Sequence, residues 1–359
     1  MKRAVVAVLA ALVLCGCSFG SAQPAGVSTG STRAPGSTNA AADSTDRRVL
    51  ATKLDVPWDF AALPDGDLLL TLRDRAELVR IAPGAPPALV AQVADVRPGG
   101  EGGLLGIALS PDFATDQLVF LYFTSADDNR VVRYRYDGTL GDPTPILTGI
   151  PKAGNHNGGR LRFGPDGNLY IGTGDAGRTE LALDLDSLGG KILRVRPDGS
   201  VPEDNPFGNP VYSYGHRNVQ GLGWDASGRF YASEFGQNAY DELNLIEPGA
   251  NYGWPQTEGA TNTDGVTAPL LVWTTDEASP SGIAVSPRGD VYVAALRGER
   301  VWHSELTADG MSRPEVFLDG YGRVRAVEIV GDELYVLTNN TARGTPSRDD
   351  DQLIAVPLG

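Results

Sequence analysis

One local unit recurs along this chain: a short apolar strand, a turn of Pro, Asp and Gly, and a second strand of β-branched or aromatic residues. It runs from Trp58–Leu63 through Pro64-Asp65-Gly66 to Asp67–Thr71, and from Leu161–Phe163 through Gly164-Pro165-Asp166-Gly167 to Asn168–Gly172. Leu222–Trp224 turns through Asp225 to Gly228 into Arg229–Tyr231, and Ile283–Val285 turns through Ser286-Pro287-Arg288-Gly289 into Asp290–Val293. Ala326–Val330 turns at Gly331-Asp332 into Leu334–Val336, and a longer-turned copy joins Ile107 to Leu118–Tyr122 through Ser110-Pro111-Asp112. Proline presets one turn dihedral, Asp caps the turn, and Gly supplies positive φ. Copies spaced about 40 to 60 residues apart match the period of a propeller blade. Further strands such as Arg130–Tyr136 and Lys191–Val195 fall between them. No stretch has a helical apolar period. The pattern predicts an all-β fold, a six-bladed β-propeller of four-stranded antiparallel blades, in preference to a sandwich with coincidental turns. The apolar ends Arg48–Leu54 and Gln352–Leu358 are expected to pair and close the ring, because closure removes exposed edges.

The segment before the repeats reads differently. Lys2 and Arg3 precede an apolar run from Ala4 to Leu14 and then Cys15-Gly16-Cys17, the plan of a secretory signal. Leu14-Cys15-Gly16-Cys17 resembles a bacterial lipobox, so residues 1–16 are expected to be a lipoprotein-type signal peptide with Cys17 lipidated. Plain cleavage nearby is the alternative. Residues 17–47, rich in Ser, Thr, Gly, Ala and Pro, are expected to form a flexible tether, leaving 48–359 as the folded domain. The implied place is outside the cell membrane, attached only through a lipid anchor, or secreted or periplasmic if unlipidated. The chain's two cysteines both lie in this leader, so the domain has no disulfide and no cysteine metal site. A net charge of −15 argues against a nucleic-acid partner, whose phosphates need a basic face.

In an antiparallel hairpin the entry of the first strand and the exit of the second lie at one end, opposite the turn. The entries carry Glu101, Asn155, His156, Arg217, Asn218, Arg323 and Arg325, and the exits carry Asp175, Gly236, Gln237, Arg297 and Asn339. An acidic chain has thus gathered four arginines and one of its three histidines on one face. Planar guanidinium forks in that number suit a ligand with several carboxylates or phosphates, although rim ion pairs would look the same in sequence. His156 sits in Gly154-Asn155-His156-Asn157-Gly158-Gly159, where backbone can approach a ligand beside an imidazole. A purely structural histidine is the competing reading. His216 and His303 have no comparable neighbours in sequence, and the spread of the three makes a zinc site improbable. Asp241 and Glu242, followed by Asn251-Tyr252-Gly253-Trp254-Pro255, could supply oxygen ligands for calcium, or form only a capped turn and a packed Trp.

Several blocks together carry a resemblance. Glu101-Gly102-Gly103-Leu104-Leu105-Gly106, His156-Asn157-Gly158-Gly159-Arg160-Leu161, Tyr214-Gly215-His216-Arg217-Asn218-Val219-Gln220-Gly221 and Asp241-Glu242-Leu243-Asn244 through Asn251–Pro255 resemble the glucose/sorbosone dehydrogenase family. The likeness extends in order over nearly all of residues 50–358. It implies an oxidoreductase that uses pyrroloquinoline quinone and Ca²⁺ to oxidise the anomeric carbon of aldoses to lactones, passing electrons to an external acceptor. By the same resemblance His156 is the catalytic base, and Arg217 and Asn218 lie at the quinone carbonyl and adjoining edge. Arg297, Arg323 and Arg325 hold its carboxylates. Backbone carbonyls of Gly236 and Gln237 bind the calcium that touches the cofactor, and Glu242 and Tyr252 belong to a second, structural calcium site. Glu101 and Asn155 fall at cofactor- and substrate-contacting positions.

The chain departs from the family pattern at four places. Glu101 stands where the characterised quinone enzymes have Gln, Arg297 where the glucose enzymes have Lys, Asn155 for Asp, and Ala176 for a Gln against the cofactor. A carboxylate at 101 repels an anionic cofactor unless an arginine or calcium pairs it. A calcium-dependent propeller lactonase and a non-catalytic ligand-binding propeller lipoprotein are the other readings.

Overall fold

The computed structural model describes residues 47–358, so the expected signal segment, Cys17 and all but the last residue of the expected tether lie outside the described residues. Six four-stranded antiparallel sheets are present, as the repeat predicts. Blade 1 is Pro57–Ala62, Leu68–Leu72, Glu77–Ile81 and Ala88–Gln92; blade 2 is Leu104–Leu109, Leu118–Thr124, Asn129–Arg135 and Thr144–Ile150. Blade 3 is Leu161–Phe163, Leu169–Gly172, Lys191–Val195 and Val211–Tyr214; blade 4 is Val219–Trp224, Phe230–Glu234, Tyr240–Ile246 and Leu271–Thr274. Blade 5 is Pro280–Val285, Val291–Ala295, Arg300–Ser304 and Glu315–Asp319. Blade 6 takes Val324–Val330, Glu333–Thr338 and Leu353–Pro357 from the C-terminal end and its outermost strand, Arg48–Ala51, from the N-terminal end. The closing register pairs Arg48 with Ala355 and Ala51 with Leu353. Among the described residues helical structure is confined to short pieces at Phe113–Asp116, Thr179–Ala182 and Asn340–Arg343.

The recurrent turn has one geometry in four blades. The residue before it donates to the residue after it (Leu63 to Asp67, Gly164 to Asn168, Asp225 to Arg229, Ser286 to Asp290), and a following glycine closes the loop. Those glycines, Gly66, Gly167, Gly228 and Gly289, all have φ between 73° and 99°, a region that strains any side chain. Apolar clusters lie between blades; one joins Phe120 and Tyr122 of blade 2 to Leu161, Ile171 and Leu193 of blade 3. Burying side chains of that size contributes about 1.5–3 kcal/mol each.

What positions the site is a defect repeated around the axis. The innermost strand of five blades shifts register near its first residues: between Pro57 and Asp59, Leu104 and Ile107, Val219 and Gly221, Pro280 and Ile283, and Val324 and Ala326. A bulge leaves a residue unpaired and re-aims it. The residues so placed are Trp58, Leu105, Gln220, Ser281 and Arg325, with Arg160 at the matching position ahead of the short inner strand of blade 3. All six are buried. Several of them touch one another: Arg160 lies over the Trp58 ring at 4.5 Å, and its Nε donates to the Gln220 carbonyl at 2.7 Å. Arg325 Nη1 donates to Gln220 Oε1 at 2.7 Å. Among the described residues no helix is long and apolar enough to cross a membrane.

Candidate functional site

The strand entries and exits meet above this floor, on the face that the repeat geometry predicts. His156 stands in the loop before blade 3 with φ of 53°, an unusual conformation for a residue with a Cβ. The loop is pressed against the blade: a Cβ at Gly158 would lie 2.4 Å from Thr173 Cα, which only glycine avoids. Two carboxylates fix His156. Its amide donates to Glu101 Oε2 at 2.9 Å, and its Nδ1 lies 2.7 Å from Asp175 Oδ1. Asp175, fully buried, also accepts from Trp254 Nε1 at 2.8 Å and from the Gly177 amide at 2.7 Å. Burial works to raise the Asp175 carboxyl, but these donors, His156 first, win and hold it below its ordinary value. An ionised Asp175 therefore accepts a hydrogen bond from Nδ1–H and leaves Nε2 as the imidazole nitrogen that Asp175 does not engage. The imidazole is 13% exposed, enough to meet a ligand.

Beside this pair lie cations with unusual company. Arg217 Nη1 donates to the Phe235 carbonyl at 3.2 Å, and its guanidinium lies 5.5 Å from the Trp254 ring centroid. Arg323 Nη1 donates to the Leu296 carbonyl at 3.3 Å. Arg325 meets Gln220, Ser281 and the Asn339 Oδ1, the last at 3.1 Å. Burial pushes all three guanidiniums below their ordinary value. Among the described residues none of the three has a carboxylate partner, and the Nε of each is buried without a hydrogen-bond acceptor. Asn218 shares the trait: its Oδ1 accepts from the Gly158 amide at 2.9 Å while its Nδ2 is buried and unpartnered. Arg323, Arg325, Trp58 and Glu101 line one cavity of about 140 Å³. Four orphaned donors are a fit for a planar, oxygen-rich anion such as the quinone.

Arg297 is not part of this cluster. It stands on the same rim, but its side chain is 60% exposed and pairs with Asp276 at 2.5 Å. Asn155 is exposed, and Ala176 is buried at φ of 53° with its amide on the His156 carbonyl at 3.2 Å.

The region expected to bind calcium is also differently built. Asp241 and Glu242 lie within the third strand of blade 4, not in an irregular loop. Tyr252 commits its hydroxyl to the Leu245 carbonyl at 2.6 Å, so only its backbone oxygen could serve a metal. Glu242 accepts from the Gly259 amide at 2.6 Å and from Asn244 at 3.1 Å. Burial, with Glu234 adding, pushes the Glu242 carboxyl well up, and burial raises Asp241 to about 6. The amides of Gln237, Asn238, Ala239 and Tyr240 all point at one oxygen of Glu258, at 2.6 to 3.2 Å. That brace sets the loop bearing Gly236 and Gln237. Glu234, Gly236, Glu242 and Glu258 border a void of about 10 Å³. Among the described residues no three acidic, His or Cys side chains converge to hold a metal. The donor set is hard oxygen nonetheless, and Asp241 and Glu242, buried carboxylates that no ion pair neutralises among the described residues, suit a cation completed by backbone carbonyls.

Sequence reasoning passed over several members of the site. Asp175 lay among the strand exits, yet its bond to His156 joins residues 19 apart and has no local signature. His216, which has no notable sequence neighbours, is buried against Ser213 at 2.9 Å and Glu234 at 3.2 Å and stacks on Tyr252. Arg343, Glu258 and Trp58 likewise become visible only when the blades close.

Fold and site together define a β-propeller with a pocket lined by arginines beside a carboxylate-held imidazole. The chain belongs to the glucose/sorbosone dehydrogenase family, whose model matches residues 54–345. It is similar to the structure of the PQQ-bound form of aldose sugar dehydrogenase from Streptomyces coelicolor, with 51% identity, a TM-score of 0.84, and coverage of 86% of this chain and 96% of that one. It is 32% identical over 335 residues to aldose sugar dehydrogenase YliI of Escherichia coli, covering 82% of this chain and 90% of that protein. It is 34% identical over 265 residues to quinoprotein glucose dehydrogenase B of Acinetobacter calcoaceticus, where the match spans 63% of this chain and 55% of the relative.

Proposed function

We propose that this protein oxidises the anomeric carbon of aldose sugars to lactones with bound pyrroloquinoline quinone and calcium, and passes the electrons to an external acceptor. The observation that carries the reading is the set of carboxylate-free guanidiniums of Arg217, Arg323 and Arg325, each with a buried unpartnered Nε, beside an imidazole whose Nδ1 is held by Asp175. Arg323 and Arg325 would hold the carboxylates of the cofactor, and Arg217 and Asn218 its quinone edge. Arg297, already paired with Asp276, would join them only by leaving that partner. When bound, the quinone supplies the hydride acceptor.

The chain's own work is positioning and proton transfer. Nε2 of His156 takes the proton of the anomeric hydroxyl, and Asp175 stabilises the imidazolium that results. Arg217 presents preorganised positive charge where negative charge develops, which is worth most in a site that excludes water. Glu101 and Asn155 border the place left for the sugar. Calcium would sit near the carbonyls of Gly236 and Gln237, with a second ion at Glu242 and the Tyr252 backbone.

The test is to add pyrroloquinoline quinone and calcium to purified apoprotein and follow dye reduction with a panel of aldoses. Sugar-dependent dye reduction that needs the quinone supports the reading. Lactone hydrolysis without quinone would replace it with a lactonase, and ligand binding without turnover would replace it with a binding propeller.

A further inference from the structure

Glu101 is the one carboxylate among the cavity-lining residues already named, and an anionic ligand held by Arg323 and Arg325 has to lie near it. Its charge is not free. Glu101 Oε1 lies 3.2 Å from Nη1 of Arg343, a residue that lines the same cavity from the opposite side of the closure seam. Arg343 ends the short helix Asn340–Arg343, and that helix is braced from three directions. The Asp351 carboxylate accepts from the amides of Asn340 and Thr341. Asn340 Oδ1 accepts from the Arg323 amide at 2.8 Å, and Thr341 Oγ1 accepts from the Val56 amide at 2.9 Å. The helix is therefore fixed to the entry of the strand Val324–Val330, with Arg323 just before it and Arg325 within it. The charges are felt across the site: Arg343 helps depress the Arg323 guanidinium, after the larger effect of burial, and Glu101 works to raise Arg217 and Arg325.

We propose that Arg343 is a further residue of the cofactor site, and that its ion pair with Glu101 neutralises the carboxylate so that the mouth of the cavity accepts a polyanion. Glu101 meanwhile keeps its other oxygen on the His156 amide, so the pair also ties the His156 loop to blade 6. The inference rests on the reading of the ligand as pyrroloquinoline quinone, and it makes a signed prediction that a merely structural contact would not. Removing Arg343 alone leaves an unpaired negative charge facing the ligand. Removing both charges removes the repulsion with its remedy.

The experiment is a double-mutant cycle on the purified full-length protein in calcium buffer, with quinone affinity read from a spectroscopic titration and melting temperature recorded alongside. Arg343→Gln is expected to weaken quinone binding roughly three- to tenfold, the scale of a partly exposed pair. Glu101→Gln should bind at least as tightly as wild type, and Glu101→Gln/Arg343→Gln should return to within about twofold of it. Equal affinity in wild type and Arg343→Gln would overturn the proposal, as would a double variant as weak as Arg343→Gln. If wild type itself shows no saturable quinone binding, the functional reading fails, and the assignment of this pair to a quinone site fails with it.

Discussion

The two faces of the propeller carry arginines of two kinds. On the turn face three of them are matched to carboxylates. Arg80 reaches Asp65 at 2.7 Å and Asp67 at 2.5 Å, Arg194 reaches Asp166 at 2.7 Å and Asp204 at 2.8 Å, and Arg229 reaches Asp225 at 2.6 Å. On the opposite face, among the described residues, Arg217, Arg323 and Arg325 have carbonyl, amide or hydroxyl partners only, and each keeps an unpaired buried Nε. Leaving a buried donor unsatisfied costs about 1–3 kcal/mol. An acidic chain does not lack carboxylates to spend on these positions, and site-face neighbours such as Arg297 and Arg343 have them, so their absence around these three guanidiniums is what an external anion would explain. The comparison also separates roles: turn-face arginines should matter to stability, and site-face arginines to binding.

The largest expected effect tests the imidazole that the cations surround. His156→Asn should lower turnover by about 10² to 10⁴, the usual worth of a general base. Quinone affinity should change little, because the donors assigned to the cofactor belong to other residues. Turnover per folded molecule unchanged in this variant would remove His156 from the chemistry.

Arg325→Gln should show the opposite split, with quinone affinity weakened by about ten- to a hundredfold and turnover partly restored by excess quinone. Loss of a charge-assisted hydrogen bond is worth about 1.5–3 kcal/mol, which sets that scale. Arg325 also joins Gln220 and Asn339, so a melting curve must accompany the titration. A fall in stability with unaltered affinity would make Arg325 a floor residue and nothing more.

How far the sequence carried this comparison depends on separation along the chain. The hairpins were legible because turn chemistry is local: Pro, Asp and Gly within four residues set the geometry seen at Gly66, Gly167, Gly228 and Gly289. Blade count and the closing of Arg48–Ala51 on Leu353–Pro357 followed from the repeat and from unpaired apolar ends. His156 and the arginines were legible as a face, since strand entries and exits alternate ends by rule. Their partners were not. Asp175, Trp254, Glu258 and Arg343 reach the site through contacts 19 to 242 residues distant in sequence. Arg297 shows the converse: its position on the rim was right, but the orientation of a long exposed side chain toward Asp276 is decided by a neighbour no motif marks.

A third prediction sharpens the contrast on the acidic side of the site. Calcium at a hundredfold excess over its dissociation constant should raise the melting temperature of the quinone-free protein by roughly 4 °C, through mass action on the folded state. Glu242 and Asp241 are buried and raised toward neutrality, so a bound cation would relieve their cost. A chelator that leaves the melting temperature untouched would show that blade 4 holds no structural ion.

The smallest expected effect comes from the turn face, and it is the control on which the comparison depends. Arg194 is well placed for a structural part: its guanidinium joins the Asp166 turn to Asp204 and lies 5.9 Å from the Tyr170 ring centroid. One of its partners, Asp204, is 75% exposed, so solvent screens that arm, and pairs of this kind are worth at most about 1 kcal/mol. For a domain of this size Arg194→Gln should lower the melting temperature by about 1–2 °C. Quinone affinity and turnover measured at 25 °C should be those of the parent protein, since Arg194 lies at the turn end of blade 3, opposite the site. The same substitution at Arg325 is expected to weaken cofactor binding before it unfolds the protein. If Arg194→Gln lowers quinone affinity as Arg325→Gln does, then net positive charge anywhere on the propeller governs anion binding. The unpaired donors of the site face would then have no special claim to the ligand.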